Sequence, residues 1–188
     1  GNDEEMLAAL RQKRWEGNMR WQLQVFANSQ LGEWRGQCKI FAPTLHTSAL
    51  DGDSTRIVEG ATASCSSSAI VLNDGEIEWA ETVDDDALGL SATLRAESFD
   101  RGEGAFCVGT AYTLSAGDAG GSLLFEIGLR EGPHRVRCKF LYAAPQDGVH
   151  ALERVAVIAE AEGSAAPAPS ASAGAGLYDP PPGDRRMY

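Results

Sequence analysis

Residues 134–143 read His-Arg-Val-Arg-Cys-Lys-Phe-Leu-Tyr-Ala, with Val136, Cys138, Phe140 and Tyr142 alternating against Arg135, Arg137 and Lys139. A repeat of two is that of extended chain, so this stretch reads as a β-strand with one buried face and one wet face. The apolar set is expected to face the core and the three cations to face water. A strand this polar on one side belongs to an antiparallel sheet, because the strands of parallel sheets are covered on both faces.

Other stretches repeat the pattern. Strands are expected over residues 55–62, 64–72, 76–82, 91–99, 105–114, 122–130 and 151–160. Asn73-Asp74-Gly75, Gly117 to Gly121, Glu131-Gly132-Pro133 and Pro145 to Gly148 supply turns between them. Leu123, Phe125, Ile127 and Leu129 share one side of their strand, and Ile77 and Trp79 share another. An opening strand carries Trp34, Gly36, Cys38 and Ile40 against Glu33, Arg35, Gln37 and Lys39, and Ala42-Pro43-Thr44 is expected to end its pairing. Roughly eight to ten antiparallel strands with no helical crossover predict a mainly β chain closed into a barrel, which removes exposed edges.

Residues 1–30 have helical spacing. Asp3, Glu4 and Glu5 favour a helix N-terminus and Met6, Leu7 and Leu10 follow at helical intervals. Gly17-Asn18 is expected to divide this segment into two helices, the second carrying Trp21, Leu23, Val25 and Phe26. Trp15 and Trp21 are read as core against a barrel end, with anchoring of a partner as the alternative. The barrel is expected over residues 31–162, and residues 163–188 form a tail rich in Ala, Pro, Ser and Gly, with nothing to bury. Its end, with Tyr178, Pro180, Pro181, Pro182, Arg185, Arg186 and Tyr188, has the composition of a docking peptide.

The net charge of −11 argues against a nucleic-acid binder, which needs a surplus of clustered Lys and Arg. No run of about 18 apolar residues predicts a membrane-spanning helix, which leaves attachment to a membrane surface through a partner open. The chain begins at Gly1 without Met, as a trimmed chain would. Cys38, Cys65, Cys107 and Cys138 form no C-x-x-C pair and are expected as buried free thiols in a reducing compartment. His46, His134 and His150 lack partners at ligand spacing, Asp84-Asp85-Asp86 lacks calcium-loop spacing, and the serines at 64–68 lack a nucleophile elbow. No catalytic, cofactor or metal residue is assigned.

The Leu31-Gly32-Glu33-Trp34-Arg35-Gly36 run after a helix is similar to the glycine-x-tryptophan opening strand of lipocalin, or calycin, barrels. More narrowly, that run with Phe125-Glu126-Ile127-Gly128-Leu129 and Arg135-Val136-Arg137-Cys138-Lys139 resembles a lipocalin-like family of cyanobacteria and plastids, distantly similar to S-type phycobilin lyases. The resemblance implies an arginine from the closing strand over the opening tryptophan, so Arg154 is expected to make a cation-π contact with Trp34 worth about 1 kcal/mol. It also implies a plastid address, in the stroma or on the thylakoid surface.

Two functions are carried forward. The first is a non-catalytic subunit or assembly factor of a larger, photosynthetic complex, contacting partners through its helices, a basic stripe of Arg130, Arg135, Arg137 and Lys139, and its tail. On that reading Arg135 and Arg137 can be changed to Glu without unfolding. The alternative is a carrier of a tetrapyrrole or other apolar ligand, or a lyase-like chromophore handler. The bulk of the rings inside the barrel separates the two, because small barrels are commonly filled by side chains.

Overall fold

The computed structural model describes residues 2–48, 52–84, 86–100 and 104–163. One helix, α1 (Asn2–Gln30), is followed by nine strands: β1 (Gly32–Ser48), β2 (Gly52–Val71), β3 (Ile77–Val83), β4 (Ala92–Leu94), β5 (Ala105–Val108), β6 (Ala111–Gly117), β7 (Leu123–Glu131), β8 (His134–Tyr142) and β9 (Leu152–Glu162). All pairings are antiparallel, in the order β4-β3-β2-β1-β9-β8-β7-β6-β5, and the sheet is curled into a half-barrel. The short strands β4 and β5 form its two edges.

Several local expectations are revised. α1 runs unbroken through Gly17 and Asn18. A glycine inside a helix costs only about 1 kcal/mol against alanine, which packing of the C-terminal half readily offsets. Pro43 does not end β1: it pairs with Ile57 of β2, beyond Phe41, the last residue of β1 to pair with β9. Proline is tolerated there because the strand's other edge has no ladder to serve. Beyond Phe41 β1 therefore pairs only with β2, and the two form a two-stranded arm. Residues 105–114 divide into β5 and β6 at Gly109, which takes a φ of 59° in the turn.

α1 lies across the concave side. Its C-terminal half contributes Met19, Gln22, Phe26, Ser29 and Gln30 to the interior, all buried. Phe26 packs edge-on to Tyr112 at 5.2 Å and also meets Trp79 and Phe99. The helix end is tied to the sheet: the Trp34 indole donates to the Gln30 carbonyl at 3.2 Å, and Arg130 Nη1 donates to the Ser29 carbonyl at 2.8 Å. A cation from β7 thus satisfies the negative end of a helix whose own last turn has no basic residue. Gln22 Oε1 accepts from the Cys107 amide at 3.0 Å, covering part of the β5 edge. Cys38, Cys65 and Cys107 are buried free thiols as expected, and Cys138 is half-buried on the outer side. Burial pushes Cys65 up to about 12 and Cys107 up to about 11.

Close approach inside the sheet rests on glycine at two positions. A Cβ on Gly36 would overlap the Ala159 carbonyl, and one on Gly128 would overlap the Tyr112 ring. Gly17 has nothing within 4 Å. Urea denaturation should therefore give opposite signs: Gly128→Ala lowers stability by about 1–3 kcal/mol through overpacking, and Gly17→Ala raises it by up to about 1 kcal/mol. Equal effects from the two would contradict the packing around Tyr112.

Candidate functional site: a buried charge network on the concave face

The alternation in β8 exists as read, but its direction is reversed. Arg135, Arg137 and Lys139 are at most 1% exposed and point into the half-barrel, whereas Val136 is 52% exposed on the outer side. The three cations therefore do not form a surface stripe, and the expectation that they contact partners is overturned. Arg130 is also drawn in: Nη2 pairs with Glu162 at 2.7 Å and Nε donates to the Gly132 carbonyl at 2.8 Å.

What reverses the strand is a set of carboxylates that reach the same space from other strands. Glu126 of β7 lies directly across from Lys139 in the ladder, and Glu160 of β9 lies across from Arg135. Glu81 comes from β3, on the far side of the curl. Arg137 joins all three: Nη1 is 2.6 Å from Glu81 and 3.2 Å from Glu126, and Nη2 is 2.7 Å from Glu160. Arg135 Nε donates to Glu160 at 2.8 Å, and its Nη2 donates to Ser67 Oγ at 2.5 Å. Lys139 pairs with Glu81 and with Glu126, the latter at 3.0 Å, and donates to the Leu88 carbonyl at 2.7 Å. Tyr112 completes the set by donating to Glu126 Oε1 at 2.5 Å. Three cations face three carboxylates, so the buried network is neutral, the condition under which buried charge is tolerated.

Two indoles stack with these cations. The Arg135 guanidinium lies 4.3 Å from the Trp34 ring and 5.0 Å from the Trp79 ring, and Arg130 lies 4.9 Å from Trp34. Arginine suits this position because its planar cation stacks on aromatic faces while its edge donates hydrogen bonds. Arg130 and Arg135 thus occupy the place expected for Arg154. Trp34 pairs with Glu162 of β9, eight residues from Arg154 and about 26 Å along a strand. The cation-π contact on the opening tryptophan is present with different partners.

The middle of the interior is thus filled by its own side chains, and a cavity of about 290 Å³ lined by Leu90, Ala116, Leu124 and Leu141 opens at its β6–β7 end. Trp34, Trp79, Tyr112, Phe26 and Phe99 fill the concave side with the charge network, whereas Phe125, Phe140 and Tyr142 lie half-buried on the outer side. Among the described residues no cluster of His, Cys, Asp and Glu could hold a metal. Tyr178, Pro180, Pro181, Pro182, Arg185, Arg186 and Tyr188 lie outside the described residues.

The sequence does carry a signal for the network: glutamates that interrupt apolar runs within strands. Glu126 follows Leu-Leu-Phe and precedes Ile-Gly-Leu, Glu160 follows Val-Ala-Val-Ile-Ala, and Glu81 follows Trp-Ala. Matched in number to three cations alternating on one strand, they point to an internal ion-pair layer.

The outer surface has the reverse character. Rows Leu129-Val136-Ala159, Ile127-Cys138-Val157 and Phe125-Phe140-Val155 run across β7, β8 and β9, with Leu123 and Tyr142 beyond them, and none of these side chains is charged. Leu123, Ile127, Leu129 and Val136 are 42–55% exposed.

No protein-family model matches the chain. No curated protein matches it. Among solved structures, a protein of unknown function from the DUF3598 family of Nostoc punctiforme is similar at 14% identity, with a TM-score of 0.43 over 72% of this chain and 48% of that one. The chain thus spans about half the length of that protein.

The network predicts a specific acid response. Burial alone would raise Glu126, but Arg137, Lys139 and the hydrogen bonds from Tyr112 and Lys139 outweigh it and hold it at about 2, against an ordinary 4.5. Arg137 and Arg135 likewise outweigh burial at Glu160 and hold it low. A carboxylate whose value is lowered by folding stabilises the fold fully above its unfolded value, and that contribution disappears as the pH falls through the folded one. Stability from these groups should be level from neutral pH down to about 4.5 and be lost progressively toward about 2. Urea midpoints measured across that range check it; a fall already complete above about 4.5 would contradict an ionised network.

Proposed function

We propose that this protein is a non-catalytic association module, a subunit or assembly factor of a larger complex, that binds through the outer face of β7, β8 and β9. The observation that carries this reading is the contrast between the two sides of the sheet. The concave side pairs its charged groups with one another, whereas the outer side presents contiguous uncharged rows to water. A contiguous apolar patch of this kind marks an interaction surface. The plastid setting and the photosynthetic nature of the complex belong to the same proposal and rest on the resemblance of the opening strand and of the β7 and β8 motifs.

One observation favours the carrier or lyase reading. Arg135, Arg137, Lys139 and Tyr112 project into the concave side, where cations could hold the carboxylates of a tetrapyrrole. Against it, each cation there already faces Glu81, Glu126 or Glu160, and a ligand carboxylate would have to displace one of them.

Capture from plastid extract separates the readings. The Ile127→Lys/Val136→Lys variant should keep its stability within about 0.5 kcal/mol, because both side chains are exposed, and should lose the captured proteins. Arg137→Glu should not fold, since it places a fourth carboxylate among three buried ones. Undiminished capture by Ile127→Lys/Val136→Lys counts against the outer face, and a coloured eluate favours the carrier.

A further inference from the structure

The charge network leaves one part of the concave side unfilled. The cavity of about 290 Å³ at the β6–β7 end lies between two walls. One is the segment that follows β3, with Gly89 and Leu90, and the other is the sheet, with Ala116, Leu124 and Leu141. Leu124 and Leu141 are paired in the β7–β8 ladder, one row beyond Glu126 and Lys139 on the same side. Leu90, Leu124 and Leu141 are all buried, so the floor is apolar.

The walls are held apart by the network itself. Lys139 Nζ donates to the Leu88 carbonyl at 2.7 Å, and the Leu90 amide donates to Glu81 at 3.1 Å. The segment that forms one wall is therefore tied down on either side of Gly89, and a ligand entering the space need not order it. Small-molecule sites are usually preformed in this way, with an apolar lining and a few placed polar groups.

The polar groups sit at the mouth. Ser91, Asp118 and Ser122 border it, and Asp118 is the one charged residue of the lining among the described residues. Asp118 Oδ1 accepts from the Ser122 amide at 2.8 Å, which fixes the carboxylate at the rim, and Oδ2 is bonded to none of the described residues. The cations close by do not line the space. Lys139 is engaged by Glu81, Glu126 and the Leu88 carbonyl, and Arg154, across from Leu141 in the β8–β9 ladder, is not part of the lining.

We propose that this cavity binds a small amine with an apolar body, its ammonium group on Asp118 and its hydrocarbon or aromatic part against Leu90, Leu124 and Leu141. Size sets the body. A cavity of about 150 Å³ takes benzene, so about 290 Å³ takes roughly a dozen non-hydrogen atoms. That is far too small for a tetrapyrrole, which separates this site from the one the carrier reading requires. Charge sets the head. A carboxylate at the rim of an apolar pocket makes a charge-assisted hydrogen bond to an ammonium and repels an anion. The hydroxyls of Ser91 and Ser122 can accept the remaining ammonium protons. The site lies on the opposite side of the sheet from the rows proposed to bind partners, so either reading can fail without the other.

The test is titration of the full chain with 2-phenylethylamine, 2-phenylethanol and phenylacetate, which share a ring and differ in the head, read from the leucine methyl signals in carbon-edited NMR. The amine, at up to millimolar concentration, should shift the methyls of Leu90, Leu124 and Leu141. The alcohol should bind about tenfold more weakly or less, and the acid should shift nothing. Asp118→Asn keeps an acceptor for the Ser122 amide but removes the charge. It should lower affinity for the amine about tenfold and leave that for the alcohol unchanged. Ile127→Lys/Val136→Lys should bind the amine as the wild type does, whether or not it loses capture from extract. Leucine methyls unmoved by the amine overturn the proposal, as do shifts confined to other leucines or equal binding of the acid. An Asp118→Asn change without effect on the amine, or loss of the amine in Ile127→Lys/Val136→Lys, overturns it equally.

Discussion

Arg137 is the point on which the structure depends. Its guanidinium is fully buried and reaches carboxylates from β3, β7 and β9, so one side chain on β8 ties its two neighbours to β3, which three strands separate from it in the sheet. Burying a cation in this way is favourable only if each carboxylate is delivered to it, and each delivery fixes the register of a strand. Arg135 extends the layer across Trp34 and Trp79 to β1 and β3, and Lys139 extends it to the Leu88 carbonyl. Losing one member strands the charges of the others, with a cost of about 3–5 kcal/mol for a broken buried pair. The curl of the sheet and the seating of α1 over it are consequences of this layer as much as of the aromatic cluster around Phe26.

That layer also explains why some of the fold was legible in the sequence and some was not. The extended segments at β3, β7, β8 and β9, the antiparallel class and the turns at Gly75 and Gly132 follow from period-two patterning and turn chemistry. The sidedness of β7 and β8 does not, because the rule that apolar residues face inward assumes that charge cannot be neutralised inside. Here Glu126 sits among Leu124, Phe125 and Ile127, and a strand with both an apolar face and a paired-charge face satisfies the pattern in either orientation. The arginine over Trp34 was expected from the closing strand; register puts Arg154 far along β9 and brings Arg130 and Arg135 instead. Continuity of α1 through Gly17 was illegible for a simpler reason: a local penalty of about 1 kcal/mol is invisible beside the tertiary packing that outweighs it.

A sheet with its buried charges paired on the concave side has an unusual relation to solvent. Its outer face keeps the side chains that would otherwise line a core. In a chain of net charge −11, acidic groups border the outer face, with Asp118, Asp147 and Glu153 at one end and Glu131 at the other. Function, on this view, belongs to the outside of the half-barrel and to its mouth, and the middle of the inside serves to hold its shape.

The most direct measurement of the central claim is proton exchange at the arginine side chains by nitrogen-edited NMR at neutral pH. If Arg135 and Arg137 are sealed in an ion-pair layer, their Nε–H groups, which donate to Glu160 at 2.8 and 2.9 Å, exchange slowly and give dispersed signals, apart from the fast, overlapping signals of exposed arginines such as Arg35. If both instead exchange as fast as Arg35, the cations are in water, the outer face is the core, and the two sides of the sheet have been assigned the wrong way round.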